Sequence, residues 1–361
     1  MAIPITDPGE LIAAIPALLG IVPHRSVAFA VMTAMPDRAD AQEIWCVARA
    51  DLPPPGKPEG YLVIADQIAR ICLDPRVAGL VAVFIGERST PATTASDREF
   101  GVFVEHLRRR FSERGIEVGG LMVPELVPGA RWRSVFNPDW SGTLPDPASS
   151  PVAEHNALRG RPVLKDDELT QLVRVDPVLR ERVSAAMGEA GVDAARRLGR
   201  AIRIGNPDAY SRIALWQVVH TIKDSADRTP PAETLAHVAV ALRDNEVRDA
   251  AFAIAIGVHK TAAERLWSTM IRALPDPDRA QAAALLAYSA YLRGDGILAG
   301  AALTVALESD SDHHMARLLD VALTHVVAPD RIARIARAGI SIAERLRIDL
   351  GVSNDDRQVH Q

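Results

Sequence analysis

The sequence has few cysteines and no long apolar run. Cys46 and Cys72 are its only cysteines among 361 residues, too few for the disulfide framework of a small secreted domain. We interpret both as buried thiols, because Cys46 falls in an apolar strand-like run and Cys72 ends a helix-like run; a reactive or paired role is the alternative. No stretch approaches the roughly 18 apolar residues of a membrane span, and residues 1–10 lack a signal-peptide pattern. The sequence therefore predicts a soluble, cytoplasmic protein that does not enter the membrane.

The sequence also lacks a basic excess. Its net charge is −5, and neither the first 150 residues nor the remainder carries more basic than acidic residues. Nucleic-acid-binding domains usually show a basic patch or stripe, so the composition disfavours nucleic acid as a partner. With 48% apolar and 24% charged residues, the chain has the composition of an ordinary globular protein and the length of two domains.

Familiar catalytic and cofactor motifs are missing from the sequence. It contains no G-x-S-x-G, S-x-x-K or H-E-x-x-H pattern and no glycine-rich phosphate loop of either common type. One cluster of acidic and histidine residues could bind a metal ion, but catalytic zinc ligands are usually spaced along a rigid element. We interpret it as a solvated turn, with a metal site as the alternative, and predict neither metal nor cofactor. Its members are Asp310, Asp312, His313 and His314.

The first part of the chain alternates between helical and strand-like patterns. Asp7, Pro8 and Glu10 form a helix start, and unbroken apolar runs such as residues 80–85 are typical of strands covered on both faces. The order α-β-β-α-β-α-β, with a short further strand, predicts a mixed sheet flanked by helices. The predicted strands span residues 26–32, 43–52, 80–85, 118–123 and 130–135, and residues 33–42 read as a long hairpin connection.

The strand signal ends near residue 150, and helical patterns follow. Residues 137–151 are rich in Pro, Asp, Ser and Gly, which is typical of an inter-domain connection. The predicted organisation is an α/β domain over residues 1–136, this connecting segment, an all-α domain over 152–350 and a disordered tail over 351–361. The first helices of the all-α domain are predicted at 166–189 and 193–204.

One part of the helical region resembles a repeat unit. Gly294 and Asp295 form a turn, and Ala299, Leu303 and Ala306 follow at the spacing of a tetratricopeptide helix pair, in which small residues allow two helices to approach closely. The sequence does not contain three clean repeats. It therefore predicts a single tetratricopeptide-like helix pair rather than a solenoid.

Several sequence blocks, in the same order, resemble one family. Residues 7–32 resemble the opening of an actinobacterial family catalogued as a domain of unknown function (number four-one-nine-two), and blocks within 48–53, 131–134 and 292–296 are similar to its later parts. The resemblance covers about residues 7–325. Two features depart from it: the first loop has His24 after the proline rather than before it, and the stretch 136–140 has no cysteine. The family has no established activity, so the resemblance implies no catalytic residue.

Two short segments carry the candidate binding residues. In the loop before the first strand, His24 offers an acid or base and Arg25 an anion ligand; the alternative is an ordinary turn in which Ser26 bonds its own backbone. Asp51 closes the second strand. The segment Arg131-Trp132-Arg133-Ser134 places both arginines on one face of a strand and Trp132 on the other. That face suits phosphate, carboxylate or a protein partner; alternatively, Trp132 is core and the arginines pair with nearby carboxylates.

The remaining conspicuous residues read as structural. Trp216 and Trp267 lie among apolar neighbours at helical spacing, and we interpret both as core. Arg108, Arg109 and Arg110 read as the solvated face of a helix.

Two functional hypotheses follow from the sequence. The first is a non-enzymatic binding, regulatory or scaffold protein that contacts protein partners through its helical domain, with the α/β domain sensing a ligand or partner. The alternative is an enzyme, a hydrolase or transferase, that acts on a small anionic molecule at the strand ends of the α/β domain, where open sheets often bind ligands. Its site would include His24, Arg25, Ser26, Asp51 and the face formed by Arg131 and Arg133, with Ser134 beside it.

Overall fold

A computed structural model describes residues 7–35, 38–54, 57, 59–86, 94–158, 163, 166–206, 208–225, 228–325 and 327–353. The chain forms two compact units, Met1–Asp166 and Asp167–Gln361. The first unit contains helices α1 (Pro8–Leu19), α2 (Glu59–Ile71), α3 (Thr94–Phe111) and α4 (Pro151–Leu158) and strands β1 (Ser26–Met35), β2 (Arg38–Asp51), β3 (Val77–Ile85), β4 (Glu117–Val123), β5 (Arg131–Ser134) and β6 (Ser141–Thr143).

The predicted mixed sheet is confirmed. Its six strands lie in the order β2-β1-β3-β4-β5-β6; β3 and β4 run parallel, and every other neighbouring pair is antiparallel. The first six residues of β1 are all buried, as expected for a strand with helices over both faces. The sheet register brings the start of β1 next to the ends of β2 and β3, because Ser26 pairs with both Asp51 and Ile85.

Different helices cover the two faces of the sheet. On one face, Phe29 and Phe84 of the sheet contact Phe103 of α3 through edge-on rings, with centroids 6.3 and 6.2 Å away. On the other face, the indole of Trp132 lies against Gly9 of α1. Asn156 of α4 donates a 2.8 Å hydrogen bond to the carbonyl oxygen of Ala17 and so satisfies an end carbonyl of α1.

Two connections differ from the sequence prediction. Strands β1 and β2 form an antiparallel pair up to Met35 and Arg38, but the long connection predicted over residues 33–42 is wrong, because most of that segment is strand. The connecting segment predicted over 137–151 contains β6, a 3-10 turn (Pro147–Ser149) and the first residue of α4. The two compact units divide after Asp166. Composition alone does not show that Gly142 pairs with Trp132 and so extends the sheet.

Close packing of Trp132 on β6 generates a stability prediction. A Cβ atom at Gly142 would approach the indole ring to 2.9 Å, closer than side chains pack, so Gly142→Ala must displace Trp132. We expect a loss of about 1–3 kcal/mol in the free energy of unfolding, measured by urea denaturation. Gly119→Ala on β4 is the control, because its Cβ would meet Val81 at an ordinary 3.7 Å. Equal effects of the two substitutions would contradict the packing.

The second unit contains helices and no strand among its described residues. Its helices are α5 (Asp166–Val173), α6 (Pro177–Arg203), α7 (Asp208–Asp224), α8 (Ala232–Ala241), α9 (Asn245–Ala253), α10 (Lys260–Ala273), α11 (Asp278–Leu292), α12 (Gly296–Ser309), α13 (His314–Thr324), α14 (Pro329–Ala333) and α15 (Ile335–Leu346). No helix in the described residues is long and apolar enough to cross a membrane.

Helix α11 is the centre of this unit. Every residue from Ala282 to Tyr291 is buried, and α11 packs against α9, α10, α12, α13 and α14. A helix that is apolar around its whole circumference must be enclosed, and its many alanines allow the neighbouring helices to come close. The adjacent pair α11 and α12 packs around the turn at Gly294; its likeness to a tetratricopeptide pair stays a prediction.

The first helices of this unit differ from those predicted. The predicted helix over 166–189 is divided at Asp176, which caps α6 by accepting a hydrogen bond from the backbone N–H of Leu179, with Pro177 at the first helical position. The predicted break before residue 193 is absent, because α6 continues through Gly188 and Gly191. A glycine inside a helix costs only about 1 kcal/mol, and the long packed face of α6 offsets that cost.

Tyr291 of α11 connects to the end of α13 and to the segment that follows it. Its buried hydroxyl lies 2.9 Å from the carbonyl oxygen of Ala322 and 2.8 Å from that of Val327. Burial raises the pKa of Tyr291 to about 12, so the hydroxyl remains protonated and able to donate at neutral pH. The single O–H group is shared between the two carbonyl oxygens.

Removal of this hydroxyl should destabilise the helical unit. Tyr291→Phe removes the O–H donor that both carbonyl oxygens share; the Ala322 oxygen still accepts a 3.0 Å hydrogen bond from the Val327 N–H, whereas the Val327 oxygen loses the tyrosine donor. We expect a loss of about 1–2 kcal/mol in the free energy of unfolding, measured by calorimetry or urea denaturation. Tyr288→Phe is the matched control, because the Tyr288 hydroxyl oxygen is 3.4 Å or more from its nearest carbonyl oxygens. The hydrogen-bond assignment fails if Tyr288→Phe is the more damaging change.

Candidate functional site

The strand ends of the first unit bring four of the predicted site residues together. Ser26 begins β1 and lies opposite Asp51 at the end of β2, while His24 and Arg25 precede it and are exposed. Arg25 has a left-handed backbone with φ of 42°, which is uncommon for a residue with a side chain. Its carbonyl oxygen accepts a 2.8 Å hydrogen bond from the Leu52 N–H, which joins the loop to the chain leaving β2.

Two buried polar atoms at this edge have no hydrogen-bond partner among the described residues. One is the Ser26 hydroxyl oxygen and the other is Nε of Arg49. Arg49 and Asp51 are two residues apart on β2 and share one face of the strand; the Arg49 guanidinium lies 2.6 Å from the Asp51 carboxylate. Sequence reasoning missed Arg49, although its spacing from Asp51 was the available signal. A buried, unsatisfied hydroxyl or N–H is costly, so this corner favours a small polar ligand or a water.

The other predicted site residues lie elsewhere on the sheet. Strands β3 and β4 separate β5 from β1, a distance of about 14 Å at normal strand spacing. The register also places Arg131 and Arg133 on the face opposite to Ser26 and Asp51. The Ser134 hydroxyl accepts hydrogen bonds from the backbone N–H groups of Phe136 and Asn137, 3.3 Å each, and so closes a turn.

The cysteines and the histidine cluster are structural in their contacts. Cys72 is buried and Cys46 half-buried, both as free thiols; burial raises the pKa of Cys46 to about 12 and that of Cys72 to about 11, so neither is an activated nucleophile. His313 caps α13, because its Nδ1 accepts a hydrogen bond from the Ala316 N–H, and its Nε2 lies 3.0 Å from the Gln281 amide oxygen. Burial is the main cause that lowers the pKa of His313.

The interpretation of Trp216 as core is wrong, whereas that of Trp267 is confirmed. Trp267 is fully buried, but 56% of Trp216 is exposed. Its ring stacks on His220 one turn later, with centroids 4.9 Å apart and planes at 13°. Ile213, one turn earlier, is 47% exposed. These three side chains form an exposed stripe along α7, because residues three and four apart share one face of a helix.

Helix α6 lies beside this stripe and is basic. Arg197 of α6 donates a hydrogen bond of 3.4 Å to the Gln217 side-chain oxygen of α7, and Arg200, one turn later on the same flank, is exposed. The last turn continues with Arg203 and the exposed Ile204. The α6–α7 surface is defined as Arg197, Arg200, Ile204, Ile213, Trp216 and His220. It combines apolar and positively charged groups in one place.

The three arginines of α6 near this surface have no carboxylate partner among the described residues. No ion pair joins a described Asp or Glu to Arg197, Arg200 or Arg203. The nearby carboxylates lie at the margins: Asp193 pairs with Arg196, and Asp224 lies near His220 and Arg228. Arg197, Arg200 and Arg203 therefore place positive charge without a described carboxylate partner on this surface, in a chain whose net charge is −5.

The fold defines a protein with a mixed α/β unit followed by a helical unit. The chain matches the family described as Domain of unknown function (DUF4192) over residues 8–330, and it belongs to that family. No curated protein and no solved structure matches it.

Proposed function

We propose that the protein is a binding protein whose helical unit docks a protein partner on the α6–α7 surface. The exposed Trp216 is the observation that carries the proposal. Tryptophan is enriched among the residues that dominate protein interfaces, because it buries a large area and loses little conformational freedom. Here it stands on the outer face of a packed helix, held flat by His220 and flanked by Ile213.

Replacement of Trp216 tests this proposal. Trp216→Ser removes an exposed ring without disturbing the core, and a central interface tryptophan contributes about 2 kcal/mol or more, roughly 30-fold in affinity. We expect a protein that co-purifies stoichiometrically with the tagged full-length chain from its native cells to be lost from this variant. The readout is quantitative mass spectrometry of the retained proteins.

The matched control is Leu318→Ser on α13, where an apolar side chain is 50% exposed. It should retain the partner, since it removes exposed apolar area of the same kind from a different helix. The docking proposal is wrong if Trp216→Ser retains every protein that the unmodified chain retains.

A second candidate function rests on the unsatisfied Ser26 hydroxyl. The strand-end corner formed by Ser26, Arg49 and Asp51, with Arg25 beside it, suits a small anion that accepts hydrogen bonds from Ser26 and Arg49. This corner would be the site of the enzyme or ligand-sensing alternative. It does not include Arg131 and Arg133, because they lie on the opposite face of the sheet. Because Ser26 is fully buried, such a ligand would have to be small or enter as the loop opens.

Calorimetric titration with inorganic phosphate tests this second candidate. We expect Ser26→Ala to weaken phosphate binding at least about tenfold by removing one charge-assisted hydrogen bond, while leaving the free energy of unfolding nearly unchanged because the hydroxyl has no partner to lose. Ser134→Ala is the control: it should destabilise the fold by about 1 kcal/mol through its two lost backbone contacts and leave phosphate affinity unchanged. Absence of any phosphate binding to the unmodified chain would exclude the candidate for this anion.

A further inference from the structure

We infer that the partner of the α6–α7 surface is an acidic amphipathic helix of another protein. This inference rests on the proposed function and specifies the chemistry of the partner. Two neighbouring features support it. Helix α7 carries an exposed apolar stripe, and the adjacent helix α6 carries arginines that form no ion pair with a described carboxylate.

The apolar half of the surface fits a helix with its own apolar face. Ile213, Trp216 and His220 follow one another at helical spacing along α7, and Ile204 lies at the end of α6. A helix that packs along such a stripe places residues at i, i+3, i+4 and i+7 against it. Trp216 provides the large flat contact and the two isoleucines provide its aliphatic border.

The charged half of the surface selects negative side chains. Arg197 contacts Gln217, the residue after Trp216, and Arg200 and Arg203 follow in the last turn of α6. A guanidinium group binds a carboxylate through two parallel hydrogen bonds, so glutamate or aspartate on the flank of the docked helix would meet these groups. A basic helix would instead bring like charges together, at a cost that disfavours it.

The surface favours a protein helix over a nucleic acid. One face of the Trp216 ring is already covered by His220, which leaves a single face for base stacking. Asp193 and Asp224 stand at the two margins, where a phosphate backbone that extends beyond the centre would meet negative charge. The aliphatic side chains of Ile204 and Ile213 contribute nothing to phosphate binding but bury well against apolar side chains.

The test uses the full-length protein and a pair of synthetic peptides. Both are amphipathic helices with leucine at i, i+3, i+4 and i+7; the remaining positions are glutamate in one and lysine in the other. Fluorescence anisotropy measures binding of each peptide. We expect the glutamate peptide to bind the unmodified protein at least about tenfold more tightly than the lysine peptide, and Trp216→Ser to weaken that binding.

A charge-reversal variant makes the test specific. In the double variant Arg197→Glu, Arg200→Glu the preference should invert, so that the lysine peptide binds more tightly. Arg317→Glu on α13 is the control, because Arg317 is exposed and far along the chain from the surface; it should keep the preference for the glutamate peptide. Circular dichroism and thermal unfolding check that each variant is folded.

Three results would overturn the inference. The first is equal binding of the two peptides or a preference that charge reversal leaves unchanged. The second is tighter, Trp216-dependent binding of a single-stranded oligonucleotide, which would assign the surface to nucleic acid. The third is self-association that is lost in Trp216→Ser, measured by analytical ultracentrifugation, which would assign it to a second copy of this chain.

The two proposals can fail separately. If Trp216→Ser loses the native partner but Arg197→Glu, Arg200→Glu retains it, the surface is a docking site and the acidic nature of its partner is wrong. If Trp216→Ser retains the native partner, both the docking function and the inference about its partner are wrong.

Discussion

The enclosure of α11 is the constraint on which the helical unit depends. A helix with buried residues around its whole circumference requires neighbours on every side, and α9, α10, α12, α13 and α14 supply them. Small residues make this possible: Gly339 of α15, for example, lies so close to α9 that a Cβ atom there would meet the Asp249 carbonyl oxygen at 2.5 Å. Helices α6 and α7 pack against α8 and α10, and α7 also packs against α9 and α15; both helices keep exposed apolar side chains, such as Ile204 at the end of α6 and Trp216 on α7.

An outer layer normally presents polar side chains to water, and α7 departs from that pattern. Isolated exposed apolar residues are common on protein surfaces and need no explanation. Ile213 and Trp216 differ because they are adjacent on one stripe and lie beside arginines that no described carboxylate neutralises. Burial of the exposed part of Trp216 and pairing of Arg197 and Arg200 would both be favourable, and a single partner can provide both. The docking that we propose would therefore explain the two features together.

The sequence predicted the sheet better than the outer helices, for a physical reason. An apolar run such as residues 80–85 indicates a strand that is covered on both faces. Residues 33–42 contain polar and charged residues, so the sequence did not indicate that β1 and β2 continue through most of this segment. The prediction that Trp216 is buried was wrong for a different reason. It follows Leu215 and precedes Val218 in the sequence, but adjacent residues point about 100° apart around a helix, and an apolar neighbourhood along the chain does not determine which face is buried.

The strand-end residues of the α/β unit also show that local sequence does not determine which residues meet in the fold. The ends of neighbouring strands were expected to meet, and His24, Arg25, Ser26 and Asp51 do. The distance to Arg131 and the face on which it lies depend on strand order and register, which no single strand encodes.

The two candidate sites also differ in the size of the ligand or partner that they can accommodate. The unsatisfied Ser26 hydroxyl is enclosed, so only a group near the size of a water or small anion can satisfy it, whereas Trp216 is 56% exposed on the outer surface of α7, where a macromolecule can cover it. A macromolecular partner would cover the larger of the two features, and for this reason we propose docking, rather than binding of a small anion, as the principal function.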